Sequence, residues 1–366
     1  LFHSVACGGR PVALSPASLD RTAASDGMLS QAISENRRIY GITTGFGPLA
    51  DRAVNVADLA LHQRNLIYHL ATGVGDALKW GHARALMLGR LIVLARGYSG
   101  CAPELLHLMT ACLNAGLAPL IPEKGTVGAS GDLTPSAHMA LALMGEGAFI
   151  DRHYNILPGP EALQQIGVEP LALRDREGLA LVNGTSAMTG IAAVTMFEAA
   201  RAADWSLRLA AAYGEILEAR GEAWHAAFSL VRGHPGQNEA QRRLMAMTAG
   251  SSRISRNLIA DYLADGVDGD MPQDPYSLRC LPQLFGAVFD MMSFSHLVIE
   301  REECTGREPG RSRRPIRALA RAVEHVFQGA GRIDHEAGKT YRGICLGAKR
   351  RGNHTRIVEA NTDAAD

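Results

Sequence analysis

Residues 186–220 carry apolar side chains at helical spacing over a stretch long enough for one very long helix, and a helix of that length belongs in a large bundle. The same three- and four-residue recurrence of Leu, Ile, Val and Ala runs through 78–98. It returns in 103–115 behind Pro103, a residue suited to a first helical turn. Aromatic residues make up only 5% of the chain, so an all-β or doubly wound parallel fold has little support. Two brief stretches, 148–157 and 12–14, are bounded by Gly or Pro and read as strands too short for a major sheet. The expected fold class is mainly α, with small hairpins on a helical body.

The 366 residues carry 37 Lys+Arg against 37 Asp+Glu, a net charge of zero that gives no electrostatic case for nucleic acid or an anionic membrane surface. Hydrophobic residues at 47% rule out disorder of the whole chain. Arg90 and Arg96 interrupt the most apolar stretch, around 85–95, far short of the roughly 20 apolar residues of a membrane span. Six cysteines stand far apart with no CxxC pair, which argues against a zinc site or a disulfide scaffold and points to a reducing cytoplasm. The chain opens on Leu1 with no leader pattern, which reads as the start of a fragment. Composition shifts near residue 300: 301–366 holds 12 Arg and 2 Lys against 9 Asp+Glu, net +5, with helical periodicity only over 317–327. The expected divisions are 1–185, an N-terminal region; 186–300, the first part of a helical bundle; and 301–366, a solvated Arg-rich tail.

Glycines concentrate in three loops, at 41–47, at 125–131 and at Gly184, each just before a helical stretch. The string Gly125-Thr-Val-Gly-Ala-Ser-Gly-Asp132 is not a phosphate loop, because Asp132 stands where a phosphate-binding Lys is needed. No G-x-G-x-x-G follows a strand, so a dinucleotide site is unsupported as well. Ala129-Ser130-Gly131 permits something else. Attack of the unhindered Gly131 nitrogen on the Ala129 carbonyl, with loss of two waters, yields a methylidene-imidazolone, an electrophile made from the chain itself. In most proteins the same tripeptide is only a turn.

The longer string Gly125-Thr-Val-Gly-Ala-Ser-Gly-Asp-Leu-Thr-Pro135 resembles the prosthetic-group signature of the aromatic amino acid lyase family, which includes histidine, phenylalanine and tyrosine ammonia-lyases and related aminomutases. Tyr40-Gly-Ile-Thr-Thr-Gly-Phe-Gly47 is similar to its mobile tyrosine loop. Leu181-Val-Asn-Gly-Thr185 is similar to its Asn-Gly-Thr loop, and Gln273-Asp-Pro-Tyr-Ser-Leu-Arg-Cys-Leu-Pro-Gln283 to its Tyr/Arg segment. The resemblance spans about residues 5–300. It implies the ammonia-lyase-like fold, a prosthetic group formed autocatalytically from Ala129-Ser130-Gly131 with neither metal nor nucleotide, and a homotetramer whose active sites draw on three chains.

Expelling an amine and removing a weakly acidic β-proton call for a strong electrophile and a positioned base. The resemblance assigns the base to Tyr40, the substrate carboxylate to Arg279, whose planar fork suits it, and hydrogen bonds beside the prosthetic group to Asn183. Tyr276 matches a second site tyrosine, and Gln283 is a weaker match. His69-Leu70 occupies the ring-recognition pair, where tyrosine-type members carry His-Leu, phenylalanine-type members more often Phe-Leu and histidases Ser-His. A site that hydrogen-bonds a phenol hydroxyl penalises the analogue lacking it. Outside these motifs the residue types have blander uses: a packing Tyr, a surface ion-paired Arg, a helix-capping Asn, a satisfied His.

After Leu297-Val-Ile-Glu300 the chain reads Arg301-Glu-Glu-Cys-Thr-Gly-Arg-Glu-Pro309 and departs from the family, whose chains are longer. The missing part supplies polar residues near the substrate amine and much of the tetramer interface. Three readings stay open: an ammonia-lyase converting tyrosine to 4-coumarate, a histidine-type lyase or aromatic aminomutase, and an inactive truncated relative. The break also implies a weak enzyme or none, a doubtful tetramer, and an uncovered apolar face along 186–220.

Overall fold

The structure, a computed structural model of the chain, describes residues 1–126, 131–254 and 273–304. The chain divides into two compact units, Leu1–Arg313 and Arg314–Asp366, and every described residue belongs to the first. The periodic stretch 317–327 and nearly all of the Arg-rich tail lie outside the described residues.

The N-terminal region is helical with short strands. It runs α1 (Phe2–Ala6), α2 (Pro16–Ser34), α3 (Leu59–Leu70), β1 (Val74–Ala77), α4 (Trp80–Leu94), α5 (Pro103–Asn114), β2 (Ala118–Pro119) and β3 (Pro122–Lys124), then α6 (Leu133–Leu143), β4 (Ala148–Ile150), β5 (Ile156–Pro158), α7 (Gly159–Gln165) and α8 (Glu177–Val182). Helix starts follow their sequence signals. Ser15 caps α2, its hydroxyl accepting from the Ser18 amide at 3.2 Å with Pro16 in the first turn, and α5 opens on Pro103.

Helix α4 is central and its residues 83–91 are buried. Around it Leu105, Met109, Met139, Leu143 and Leu181 complete the main hydrophobic core. The buried Arg84 crosses this core, donating to the carbonyls of Ala6 (2.8 Å), Val5 (3.0 Å), Leu113 (2.8 Å) and Leu117 (3.2 Å), and so ties α1 to the end of α5. Strands β4 and β5 form the expected antiparallel hairpin, with Phe149 opposite Leu157, and β2 extends it on the other edge. Strands β1 and β3 pair separately.

Residues 12–14 correct the sequence reading: they form no strand. Val12 N–H donates to Asn114 Oδ1 at 2.7 Å and Asn114 Nδ2 donates back to the Val12 carbonyl at 2.9 Å, so one side-chain amide stands where a partner strand would.

The second half begins with α9 (Ser186–Ile216), continues through α10 (Ala226–Arg232) and α11 (Pro235–Met247), and resumes with α12 (Tyr276–Arg279) and α13 (Leu281–Cys304). Helix α9 stops four residues short of the expected Arg220: Glu218 adopts φ +53°, and Ala219 N–H turns back to the Gly214 carbonyl at 2.8 Å. Helix α13 returns antiparallel along α9, Phe285 clustering near Leu207 and Ala211 while Val298 and Ile299 face Ala192 and Met196. A second, smaller core gathers at the far end of α9 around Trp224, Leu244, Leu278 and Phe285. The expected uncovered apolar face is present: Trp205, Leu209, Tyr213 and Ile216 on α9 and Met291 and Phe294 on α13 are each more than half exposed.

Candidate active site

Gly131 and Gly184 meet just before the N-terminal end of α9, and the 41–47 loop is tied to α8 through Gln63. The loop after α2 places Tyr40 at the surface, 54% exposed, with its hydroxyl accepting from Gly47 N–H at 3.0 Å. The Tyr40 ring meets Phe46 edge-on at 6.4 Å, and Phe46 stacks on His62 at 4.3 Å. Burial holds the His62 imidazole below the ordinary histidine range, against the opposing effect of a Thr44 backbone hydrogen bond. Gly41 takes φ +68°, a left-handed posture that favours glycine.

Gln63, fully buried on α3, joins this loop to the next. Its Nε2 donates to the Gly41 carbonyl at 2.8 Å and its Oε1 accepts from Leu179 N–H at 2.8 Å, one helical turn before Asn183. Asn183 ends α8 with its side chain exposed; its carbonyl accepts from Arg90 Nη2 at 2.7 Å, and the same nitrogen donates to the Ala180 carbonyl. Burial pushes the Arg90 guanidinium down to about 10.

Gly131 bridges in parallel to Gly184. The bond is made by Asp132 N–H, which donates to the Gly184 carbonyl at 2.9 Å, so the Gly131 nitrogen is left out of that pairing. A Cβ at Gly131, where φ is +84°, would lie 2.5 Å from the Gly184 oxygen, a contact only glycine avoids. The buried Asp132 carboxylate accepts from Met188 N–H at 2.7 Å in the first turn of α9, where an anion is favoured. Ala129 and Ser130 lie outside the described residues. The surroundings of Gly131 fit a prosthetic group closed on its nitrogen: the Gly184 carbonyl leaves that nitrogen out of its pairing, and the Thr126 hydroxyl donates to the Gly131 carbonyl at 3.2 Å.

His69 and Leu70 end α3, His69 exposed and Leu70 packed against the main core. The rest of the expected site is elsewhere. Tyr276 is 72% exposed on α12, with the Arg279 guanidinium 5.8 Å above its ring and bonded to Gln273 Oε1. Gln283 opens α13 with its Oε1 buried and without a partner. This segment is anchored at the C-terminal end of α9: Asp274 Oδ2 accepts from Arg220 N–H at 2.6 Å and Trp224 Nε1 donates to the Leu278 carbonyl at 2.9 Å. At about 1.5 Å per residue, the 31 residues of α9 set the two groups roughly 45 Å apart within one chain.

The profile described as aromatic amino acid lyase matches residues 2–305. The chain belongs to the aromatic amino acid lyase family. It is 46% identical over 304 residues to a tyrosine ammonia-lyase of Cereibacter sphaeroides, covering 82% of this chain and 58% of that protein. A histidine ammonia-lyase of Anaeromyxobacter dehalogenans is 42% identical over 306 residues, covering 82% and 59%. Among solved structures, the Pantoea agglomerans phenylalanine aminomutase superposes with a TM-score of 0.76 at 31% identity, covering 82% of this chain and 60% of that one. The lyase-family chain thus spans under two thirds of the length of these relatives. No helix among its described residues is long and apolar enough to cross a membrane.

Sequence reasoning missed Gln63, Arg90 and His62. Arg90 shows in the sequence only as a charge breaking an apolar run, and Gln63 as one polar residue in an amphipathic helix.

Proposed function

We propose that this lyase-family chain eliminates ammonia non-oxidatively from an aromatic L-amino acid, tyrosine first, giving 4-coumarate. The observation that carries the reading is the pairing of Gly131 with Gly184 of the Asn183-Gly-Thr185 loop, together with the Gln63 link from the Tyr40 loop, at Gly41, to α8 just before that loop. Ala129-Ser130-Gly131, once cyclised, supplies a carbon electrophile for the substrate amine. Tyr40 Oη takes the β-proton; its surface position leaves it open to substrate, and Gly47 N–H donates to it at 3.0 Å. Asn183 hydrogen-bonds beside the carboxylate, and His69-Leu70 reads the ring, His69 toward a phenol hydroxyl.

Arg279 grips the carboxylate, with Tyr276 and Gln283 beside it, and these come from another copy of the chain. A roughly 45 Å separation along α9 leaves no other way for one pocket to use both groups. The exposed faces of α9 and α13 support such an assembly, a homotetramer. In this division 1–185 carries the electrophile and 186–300 the partner's carboxylate site. Free Cys7, Cys101, Cys112 and Cys280 accord with a reducing cytoplasm.

The test is product analysis on L-tyrosine with purified chain, alongside solution mass by light scattering. 4-Coumarate and ammonia identify the lyase; a β-amino acid identifies the aminomutase chemistry found among its structural relatives; urocanate from histidine identifies the histidine-type reading. His69→Phe is expected to shift the coumarate-to-cinnamate ratio toward cinnamate, and an unchanged ratio removes His69 from ring recognition.

A further inference from the structure

The backbone at Gly184 is held from two sides, and none of the roles above uses the inner one. Arg90 reaches it from α4 and is only 4% exposed. Its Nη2 donates to both the Ala180 and Asn183 carbonyls, and its Nη1 lies so close to Gly184 that a Cβ there would meet it at 2.6 Å. On the outer side stands Gly131, against the Gly184 carbonyl. Gly184 itself takes φ +149°, so a side chain at that position would be opposed by both backbone and guanidinium.

Among the described residues the titratable groups facing Arg90 are Cys101 and Arg176, no carboxylate pairs with it, and its Nε has no hydrogen-bond partner. Arg84, one helix turn and a half earlier, instead donates to four carbonyls. Burying an unpaired charge costs several kcal/mol, and an apolar residue of similar volume is commonly as stable or more so. What Arg90 adds is geometry: it gathers the last carbonyls of α8 and fixes the turn that follows.

We propose that Arg90 is a positioning residue for formation of the prosthetic group: by gripping the Ala180 and Asn183 carbonyls it fixes Gly184, and through Gly184 it fixes the Gly131 backbone for ring closure. This rests on the lyase reading. In the closure the Gly131 nitrogen bonds to the Ala129 carbonyl carbon. The carbonyl oxygen leaves as water with the amide protons of Gly131 and Ser130. The Ser130 hydroxyl leaves as a second water with the Ser130 α-proton, and no oxidant is consumed. An intramolecular reaction of this kind depends on reach and alignment, and a misplacement of about 1 Å costs on the order of 10²-fold in rate.

The experiment follows intact mass against time after synthesis for the full wild-type chain, Arg90→Met and Arg90→Lys, with circular dichroism and thermal unfolding on each. Wild type is expected to lose the mass of two waters. Arg90→Met, folded, is expected to lose them on the order of 10²-fold more slowly, and Arg90→Lys, which keeps the charge on one nitrogen, to recover part of that rate. A folded Arg90→Met that dehydrates at the wild-type rate overturns the proposal. Should Arg90→Met fail to fold, Arg90→Lys decides: slowed dehydration at native helicity supports the proposal, and a wild-type rate overturns it. A wild-type chain that retains both waters removes the lyase reading and this proposal together, an outcome distinct from failure in the variants alone.

Discussion

The two ends of α9 are built on different terms. At the N-terminal end buried polar side chains tie one loop or helix to the next: Gln63 joins Gly41 to Leu179, Asp132 holds Met188, and Glu177 holds the amides of Ala102 and Arg174. At the far end a small core around Trp224 supports a segment whose Tyr276 stands exposed and whose Gln283 Oε1 is buried unsatisfied. The apolar stripe of Trp205, Leu209 and Tyr213 faces outward beside it. One end knits its own loops together through buried side chains, and the other has the character of half an interface. A residue set that looks like one site in the sequence is therefore two half-sites in the folded chain.

The sharpest way to break this contrast is to remove the pin of the far end. Trp224 is 1% exposed and donates to the Leu278 carbonyl. Trp224→Ala is expected to cost about 3–5 kcal/mol, with amide exchange accelerating over α10 to α13 while α4 and α5 keep their protection. Exchange rising equally in α4 and α5 would show one cooperative unit instead of two cores.

Gln63 tests the other end. Gln63→Met leaves the Gly41 carbonyl and the Leu179 amide without partners, at about 1–3 kcal/mol for each. Gln63→Glu keeps an acceptor for Leu179 and, as the neutral acid in mildly acidic buffer, a donor for Gly41, so its cost there is expected to be smaller. Urea unfolding ranks the pair, and exchange at the Leu179 amide separates them: fast in Gln63→Met, slow in Gln63→Glu. Equal protection in both variants would mean that the tyrosine loop and α8 are held by something other than this side chain.

These variants also mark where the sequence stops being legible. Helices α4, α5 and α9 are readable within a few residues because their apolar spacing is local, and the β4–β5 hairpin is readable from its Gly and Pro bounds. Residues 12–14 mislead because the partner of Val12 is an Asn114 side chain about a hundred positions away. The motifs identify Tyr40, Asn183 and Arg279, yet spacing along the chain says nothing of which end of α9 each occupies. Gln63 and Arg90 are invisible for a related reason. A polar residue in an amphipathic pattern carries no mark of the carbonyl it will meet, and those carbonyls belong to α8 and the tyrosine loop.

The smallest expected effect lies at His138, again on the N-terminal side. Its Nε2 accepts from Gly73 N–H at 3.0 Å, so the bond requires a neutral imidazole. Burial lowers its pKa below the ordinary 6.5. A depressed pKa means that the contribution is complete above 6.5 and is lost as pH falls through the lower folded value. Gly73 in turn abuts the glycine loop: a Cβ on Gly125 would come within 3.1 Å of the Gly73 Cα. Acid is therefore expected to loosen the approach to Gly131 before it disturbs the Trp224 core. His62 and His82 share the downward shift, also from burial, so wild type carries a background acid slope and the measurement is a difference. His138→Gln keeps an acceptor that does not titrate. Thermal unfolding against pH should be shallower in this variant below 6.5, by about the 0.5–1.5 kcal/mol of a single hydrogen bond. The Gly73 amide should keep its protection in acid. Parallel curves for the two proteins would assign the acid sensitivity to the other histidines and leave the Gly73 contact without a part in holding the glycine loop.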